Sequence, residues 1–278
     1  MALDTRGILA AVTIAMYIPF LFLSVMVVYR YGISRGDGWV LLLVFCIIRV
    51  LGGSLLVAAE DITPVNTGLY IGGYALEASG LSPLLVCTLG LLHSIFQTPD
   101  GESRHKRLFR LLQLLGLVAL ILTIIGISDA SSSSSSSSGN TMRRAGVILF
   151  VVLYIILVGI CLFLWSQVRF VLKYRKQLLK AISIALPFLA IRTLYSVLST
   201  FSSSTFDISS TSSQPNTSDL AKFNILTGEW QIYLVMDMLM EYAVVIIYTV
   251  AALVLPLNQD YNSPDLNQDN YPLNRPQW

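Results

Sequence analysis

Five ionisable side chains, Arg49, Glu77, Arg192, Asp237 and Glu241, stand deep inside long apolar runs of this sequence. A charge at the centre of a membrane helix costs about 2.5–3.5 kcal/mol on insertion scales, so five of them require a reason. Counted at about 1.5 Å per residue, Arg49, Glu77, Arg192 and Glu241 fall near the midplane of their runs or to one side of it, with Asp237 nearer an end. Matching depths on four runs are what one shared polar pocket would produce. Residues three, four or seven apart share a helix face. That rule aligns Tyr233, Asp237, Glu241 and Tyr248; Tyr70, Tyr74 and Glu77; Arg49, Gly53, Leu56 and Glu60; and Phe188, Arg192, Tyr195 and Ser199. Each face mixes charge with aromatic or small residues and is expected to point inward.

Two arginines then meet three carboxylates, or four with Glu60. Asp237 and Glu241, at i and i+4 with side-chain roots about 5–6 Å apart, would repel each other if both were ionised. One of the pair is expected to keep its proton and to act as a neutral acid in an aromatic-lined space. The expected catalytic residues are Asp237 or Glu241 as proton donor and Glu77 as a second carboxylate. Arg49, Arg192, Glu60, Tyr70, Tyr74, Tyr195 and Tyr233 are expected to bind substrate. Ion pairs that merely fix helix register would use the same residue types, as would a proton relay or solute transport.

Other chemistries lack their motifs. Neither a Gly-rich phosphate loop nor a GxSxG elbow is present, and His93 and His105 have no partners at metal-ligand spacing. Both histidines are expected in solvated or interfacial positions. The last apolar run has no lysine for a retinal Schiff base, and the lone D-x-x-x-E of Asp237 and Glu241 is not a set of Asp-rich diphosphate motifs. No metal, cofactor or nucleic acid is expected. Reactions that start by ionising a diphosphate are disfavoured, and those that start by protonation remain open.

The elements that must position these groups are membrane helices. The chain is 55% hydrophobic and 12% charged, where soluble domains carry about 25% charged residues. Seven runs reach the roughly 20 residues needed to cross hydrocarbon: Gly7 to Tyr29, Trp39 to Ala59, Thr67 to Phe96, Leu108 to Ile127, Ala145 to Gln167, Leu178 to Phe201 and Trp230 to Leu255. They do not alternate as barrel strands do. The expected fold is an all-α, seven-helix polytopic membrane protein over residues 1–256. The first run is read as a retained span rather than a cleaved signal, with the mature chain beginning near Met1. Counting Lys and Arg between spans gives twelve on one side, among them Arg30, Arg104, Arg169 and Lys176, and four on the other: Arg6, Arg143, Arg144 and Lys222. The positive-inside rule therefore puts the N-terminus outside or in the lumen and the C-terminus in the cytosol, with the endoplasmic reticulum as the expected membrane. Asn216-Thr217-Ser218 is then a lumenal glycosylation acceptor.

Low-complexity lumenal loops are expected over 128–144, where Ser131 to Asn140 reads as a flexible connector, and over 202–229, with a disordered tail at 257–278. Cys46, Cys87 and Cys161 lie in spans and imply no disulfide. Pro19, Pro83 and Pro187 are expected to kink or open their helices, and Gly68 with Gly72 to allow a close helix contact.

Three stretches carry a family resemblance: MALDTRGILAAVTIAMYIPF at the start, RYGISRGDGWVLLLVFCIIRVLGG, and EASGLSPLLVCTLGLL. From the N-terminus to about Pro256, apart from the serine loop, the chain resembles fungal membrane-bound terpene cyclases of the ascofuranone and macrophorin type. The resemblance implies cyclisation of a farnesyl chain on an aromatic or epoxycyclohexenone head group in meroterpenoid biosynthesis, a secondary-metabolite pathway. Such a cyclase protonates an olefin or epoxide without metal or diphosphate loss, and its partner is a lipophilic farnesylated small molecule. No catalytic position is carried over. The expectation also requires, between the converging side chains, a void large enough for a fifteen-carbon chain. A seven-helix receptor or sensor and a lipid or metabolite exporter are the alternative functions.

Overall fold

The computed structural model describes residues 5–31, 37–62, 67–96, 106–130, 136–167, 173–202 and 230–255. In chain order the helices are α1 (Thr5–Tyr31), α2 (Asp37–Asp61), α3 (Thr67–Ser79), α4 (Leu81–Phe96), α5 (Lys106–Ala130), α6 (Ser136–Ser166) and α7 (Lys173–Ser202). The last span opens with the short α8 (Trp230–Tyr233), passes through a π-helical segment (Leu234–Leu239) and continues as α9 (Met240–Val254). Seven helical stretches are long and apolar enough to cross a membrane, and the protein is a multi-pass membrane protein. Helices are what such a chain must form, because only intrahelical bonding satisfies the backbone in lipid.

The third span is the bundle's centre. Of its most apolar window 83% is buried, against 22% for the first span. Thirteen consecutive residues of α4, Leu81 to His93, are buried, the mark of a helix surrounded by others. Around it, α1 packs on α2, α2 on α3 and α4, α5 on α6, α6 on α7, and α7 on α9. The outward face of α1 carries Phe22 and Met26, both largely exposed, and Tyr29 near the helix end, where aromatic residues favour the interface. Its inward face is Ala10, Thr13, Tyr17, Ser24 and Val27.

Several expectations are modified. The third apolar run is two helices, broken at Gly80, whose N–H donates to the Glu77 carbonyl at 3.2 Å. The break lies three residues before Pro83, whose ring crowds the carbonyl four residues back. By contrast α1 and α7 remain continuous through Pro19 and Pro187. The helix α6 begins at Ser136, so the last serines of the low-complexity run and Gly139 and Asn140 are helical. Serine is a favoured residue at a helix start, and the apolar run behind it propagates the helix. Residues 131–135, 203–229 with Asn216, and 257–278 lie outside the described residues. The close contact of α2 with α3 is made at Gly73, where a Cβ would come 2.6 Å from Leu56 Cδ2; Gly72 has 3.8 Å of room to its nearest neighbour. His93 is not solvated: it is buried and its ring centroid lies 4.8 Å from that of Phe109. His105 lies outside the described residues. All three cysteines are free and buried.

Candidate functional site

Arg49 stands midway along α2 and reaches across the bundle. Its Nε and Nη2 donate to Oε1 and Oε2 of Glu241, a two-pronged pairing that suits the planar guanidinium. The same side chain lies 3.7 Å from Glu77 Oε1 through Nη1 and 3.6 Å from Asp237 Oδ2 through Nη2. Room for it is left by Gly80, where a Cβ would sit 3.0–3.1 Å from the guanidinium atoms. The break in the third span therefore admits the arginine beside the buried end of α3.

Arg192 of α7 closes the cluster from the opposite side. Its Nε donates to Glu241 Oε2 at 3.1 Å, its Nη1 lies 2.5 Å from Asp237 Oδ1, and Nη1 also donates to Ser196 Oγ at 2.9 Å. Tyr17 of α1 donates to Glu241 Oε1 at 3.3 Å, and the Tyr233 hydroxyl donates to Glu77 Oε1. Arg49, Glu77, Arg192, Asp237 and Glu241 are all buried, with Glu241 at 0% exposure. All five charges expected to converge do so.

The three acids are held unequally. Glu241 accepts from both arginines and from Tyr17. Asp237 sits within ion-pair reach of both arginines, at 3.6 Å from Arg49 and 2.5 Å from Arg192, yet Oδ1 and Oδ2 are buried without a hydrogen bond among the described residues. Two guanidiniums against three carboxylates leave one negative charge in excess if every acid is ionised. Breaking such a buried set by removing one partner costs about 3–5 kcal/mol, because a charge is stranded in the interior.

Asp237 lies within the π-helical segment and Glu241 in the first turn of α9. Single π turns inside α-helices recur at functional positions. Here the turn leaves Asp237 and Glu241 both buried on the side of the two arginines.

Other expected residues divide. Tyr195 and Tyr233 meet edge to face, with centroids 6.3 Å apart, beside the acids. Tyr70 and Tyr74 stack on each other at 6.4 Å. Glu60 joins none of these ion pairs; its Oε2 is buried near the far end of α2 without a hydrogen-bond partner among the described residues. Tyr248 bonds Thr88 Oγ1 at 2.7 Å, tying α9 to α4 rather than reaching the cluster. Sequence reasoning missed Tyr17, Ser196 and Gly80. The available signal for Tyr17 was Thr13, Tyr17 and Ser24 as a polar stripe on an otherwise apolar helix.

The spaces touching the acids are small. One of about 30 Å³ is bounded by Asp237, Arg192, Tyr195, Ser196 and Arg143, and one of about 10 Å³ by Arg49, Glu77 and Ile48. These volumes are of the order of a single water molecule. Neither of these two spaces, as bounded by the described residues, is of ligand size. A cavity of about 560 Å³ lies instead between α2, α4 and α5, walled by Val44, Ile48, Pro83, Val86 and Leu117, with Gln113 and Ser82 as polar members. Among the described residues no group of three or more His, Cys, Asp or Glu side chains is arranged to hold a metal ion.

No curated protein and no solved structure matches the chain. A family match covers residues 3–217, which takes in Arg49, Glu77 and Arg192 and ends before the span with Asp237 and Glu241. By that match over most of its length, the chain belongs to the family described as Domain of unknown function (DUF7702).

Proposed function

We propose that this protein is a membrane-embedded, metal-independent terpene cyclase, acting on the farnesyl chain of a meroterpenoid intermediate by protonating an olefin or epoxide. The observation that carries the reading is the acid excess: three carboxylates and two guanidiniums in one lipid-sheltered cluster, with Asp237 lacking a hydrogen bond among the described residues. Glu241, gripped by both arginines, serves as the fixed anion. Asp237 or Glu77 holds the surplus proton, and Tyr195 and Tyr233 offer ring faces to a migrating cation. Arg49 and Arg192 orient the acids. The resemblance of the first three spans to fungal cyclases supports the same class. The distribution of Lys and Arg supports an outer or lumenal N-terminus, and the endoplasmic reticulum is the membrane proposed.

The test is direct. Membranes from a host expressing the full chain are given a farnesylated hydroquinone and its terminal epoxide, and products are read by mass spectrometry. Asp237→Asn or Glu77→Gln is expected to lower cyclised product by about 100-fold or more, the scale of a lost general acid. Undiminished product in both variants would reject the assignment.

A seven-helix sensor is the second reading, favoured by one observation: the spaces at the acids hold about 30 and 10 Å³. On this reading the cluster is a lock joining spans 2, 3, 6 and 7, and its opening is the switch. Arg49→Met would then produce signalling without ligand in a reporter cell, with no turnover of any prenylated substrate.

A further inference from the structure

The cavity between α2, α4 and α5 and the small space beside Glu77 share one wall residue, Ile48. Ile48 precedes Arg49, so the helix turns the two side chains in different directions: the arginine into the cluster, the isoleucine into the partition. On its far side the cavity runs along α2 from Val40 to Ile48, about 12 Å at helical rise. Its volume of about 560 Å³ falls within the roughly 300–1,000 Å³ of small-molecule sites. Val44 and Leu117, on opposite walls, are 40% and 51% exposed and both lie within membrane-length spans, so the cavity opens on the outside of the bundle, the side a bilayer would cover.

The wall is apolar apart from two residues. The Ser82 hydroxyl is taken up by the Gly116 carbonyl at 3.0 Å. Gln113 is the remaining polar side chain on the wall, an amide facing a space that hydrocarbon alone cannot satisfy. A plain acyl chain would leave that amide without a partner. A chain ending in an oxygen-bearing head group would not.

We propose that this cavity is the binding site for a single isoprenoid chain bearing an oxygenated head group, taken laterally from the bilayer, with Gln113 bonding the head and Ile48 separating the chain from the acids. The identity of the ligand rests on the function proposed above; the site itself does not. Displacement of Ile48 joins the cavity to the space beside Glu77 and Arg49. The gap between the sealed cluster and a substrate of this size is thereby reduced to one side chain.

The full-length protein in phosphatidylcholine nanodiscs is irradiated with a farnesylated phenol carrying a diazirine on the chain, and labelled peptides are identified by mass spectrometry. Label is expected on α2 between Val40 and Ile48 and on α5 between Gln113 and Leu120, removed by excess non-photoreactive farnesylated phenol. Val44→Trp, at a position open to lipid, and Gln113→Leu are each expected to cut the competable label at least fivefold. Ile48→Ala is expected to extend the label to α3. Label that is not competed, or that is competed equally by a straight-chain alcohol, would show a crevice filled by bilayer lipid and overturn the site. Label confined to α2 and α5 in Ile48→Ala would overturn the partition. Competable label with no cyclised product keeps the site and rejects the cyclase reading; product with no label at this cavity does the reverse.

Discussion

The two halves of the third span solve opposite problems. On one side of Gly80, α3 carries Tyr70, Tyr74 and Glu77 and ends in the charged cluster. On the other, α4 is buried from Leu81 to His93, mostly among leucines, with Thr88 bonded back to the Leu84 carbonyl of its own helix and to Tyr248. In α4 the lipid-like interior gains little by hydrophobic transfer, since the bilayer is equally apolar, and stability comes from close contact. In α3 the determinant is charge pairing, which is strongly destabilising to break and weakly stabilising to have. One span thus shows that shape holds one half of this bundle and electrostatic completeness the other.

Substitutions on either side of Gly80 sharpen that contrast. The largest effect is expected from Arg49→Met, which takes the ion-pair partner from Glu77 and leaves Arg192 alone against three acids: about 3–5 kcal/mol of stability, read as loss of folded protein in detergent unfolding curves. A loss under about 1 kcal/mol there would mean that the cluster does not organise the bundle. Leu85→Ala, in the packed half, is expected to cost about 2 kcal/mol, the low end of core truncations, because the transfer contribution falls away in lipid. Gly80→Ala places a methyl against the Arg49 guanidinium and is expected to cost about 1–2 kcal/mol. Its control is Gly159→Ala, where nothing lies within 4 Å of the added methyl, and a gain of about 0.5–1 kcal/mol is expected from helix propensity. The smallest loss, about 1 kcal/mol, is expected for Tyr17→Phe, which removes one hydrogen bond to Glu241.

What the sequence disclosed follows from what leaves a mark in it. The run from Trp39 to Ala59 and the helix Asp37–Asp61 agree because twenty apolar residues in a row have few other uses. Arg49, Glu77, Arg192, Asp237 and Glu241 were legible as a group because each is costly in lipid, and matching depth left few ways to relieve that cost. Glu60 failed to join them because its place at the helix end gives it other surroundings. Tyr17 was passed over because a phenol in a span carries no charge to draw notice. The volume beside the acids had no signature at all: a void is set by rotamers and helix separation, and the periodicity that aligned Tyr70 with Glu77 says nothing about either. The break at Gly80 was half visible, since Pro83 announced a disturbance and its location depended on where Arg49 needed space.

The π-helical segment Leu234–Leu239 has a consequence for phase. A π turn stores one surplus residue, and a surplus residue can be handed along a helix without changing where the helix starts or stops. Each such step rotates the residues it passes by about 100°, one residue's share of an α-helical turn. In the seventh span that surplus residue lies around Asp237, so the angle between the Asp237 and Glu241 side chains differs from that of an unbroken α-helix, and both still meet Arg49 and Arg192.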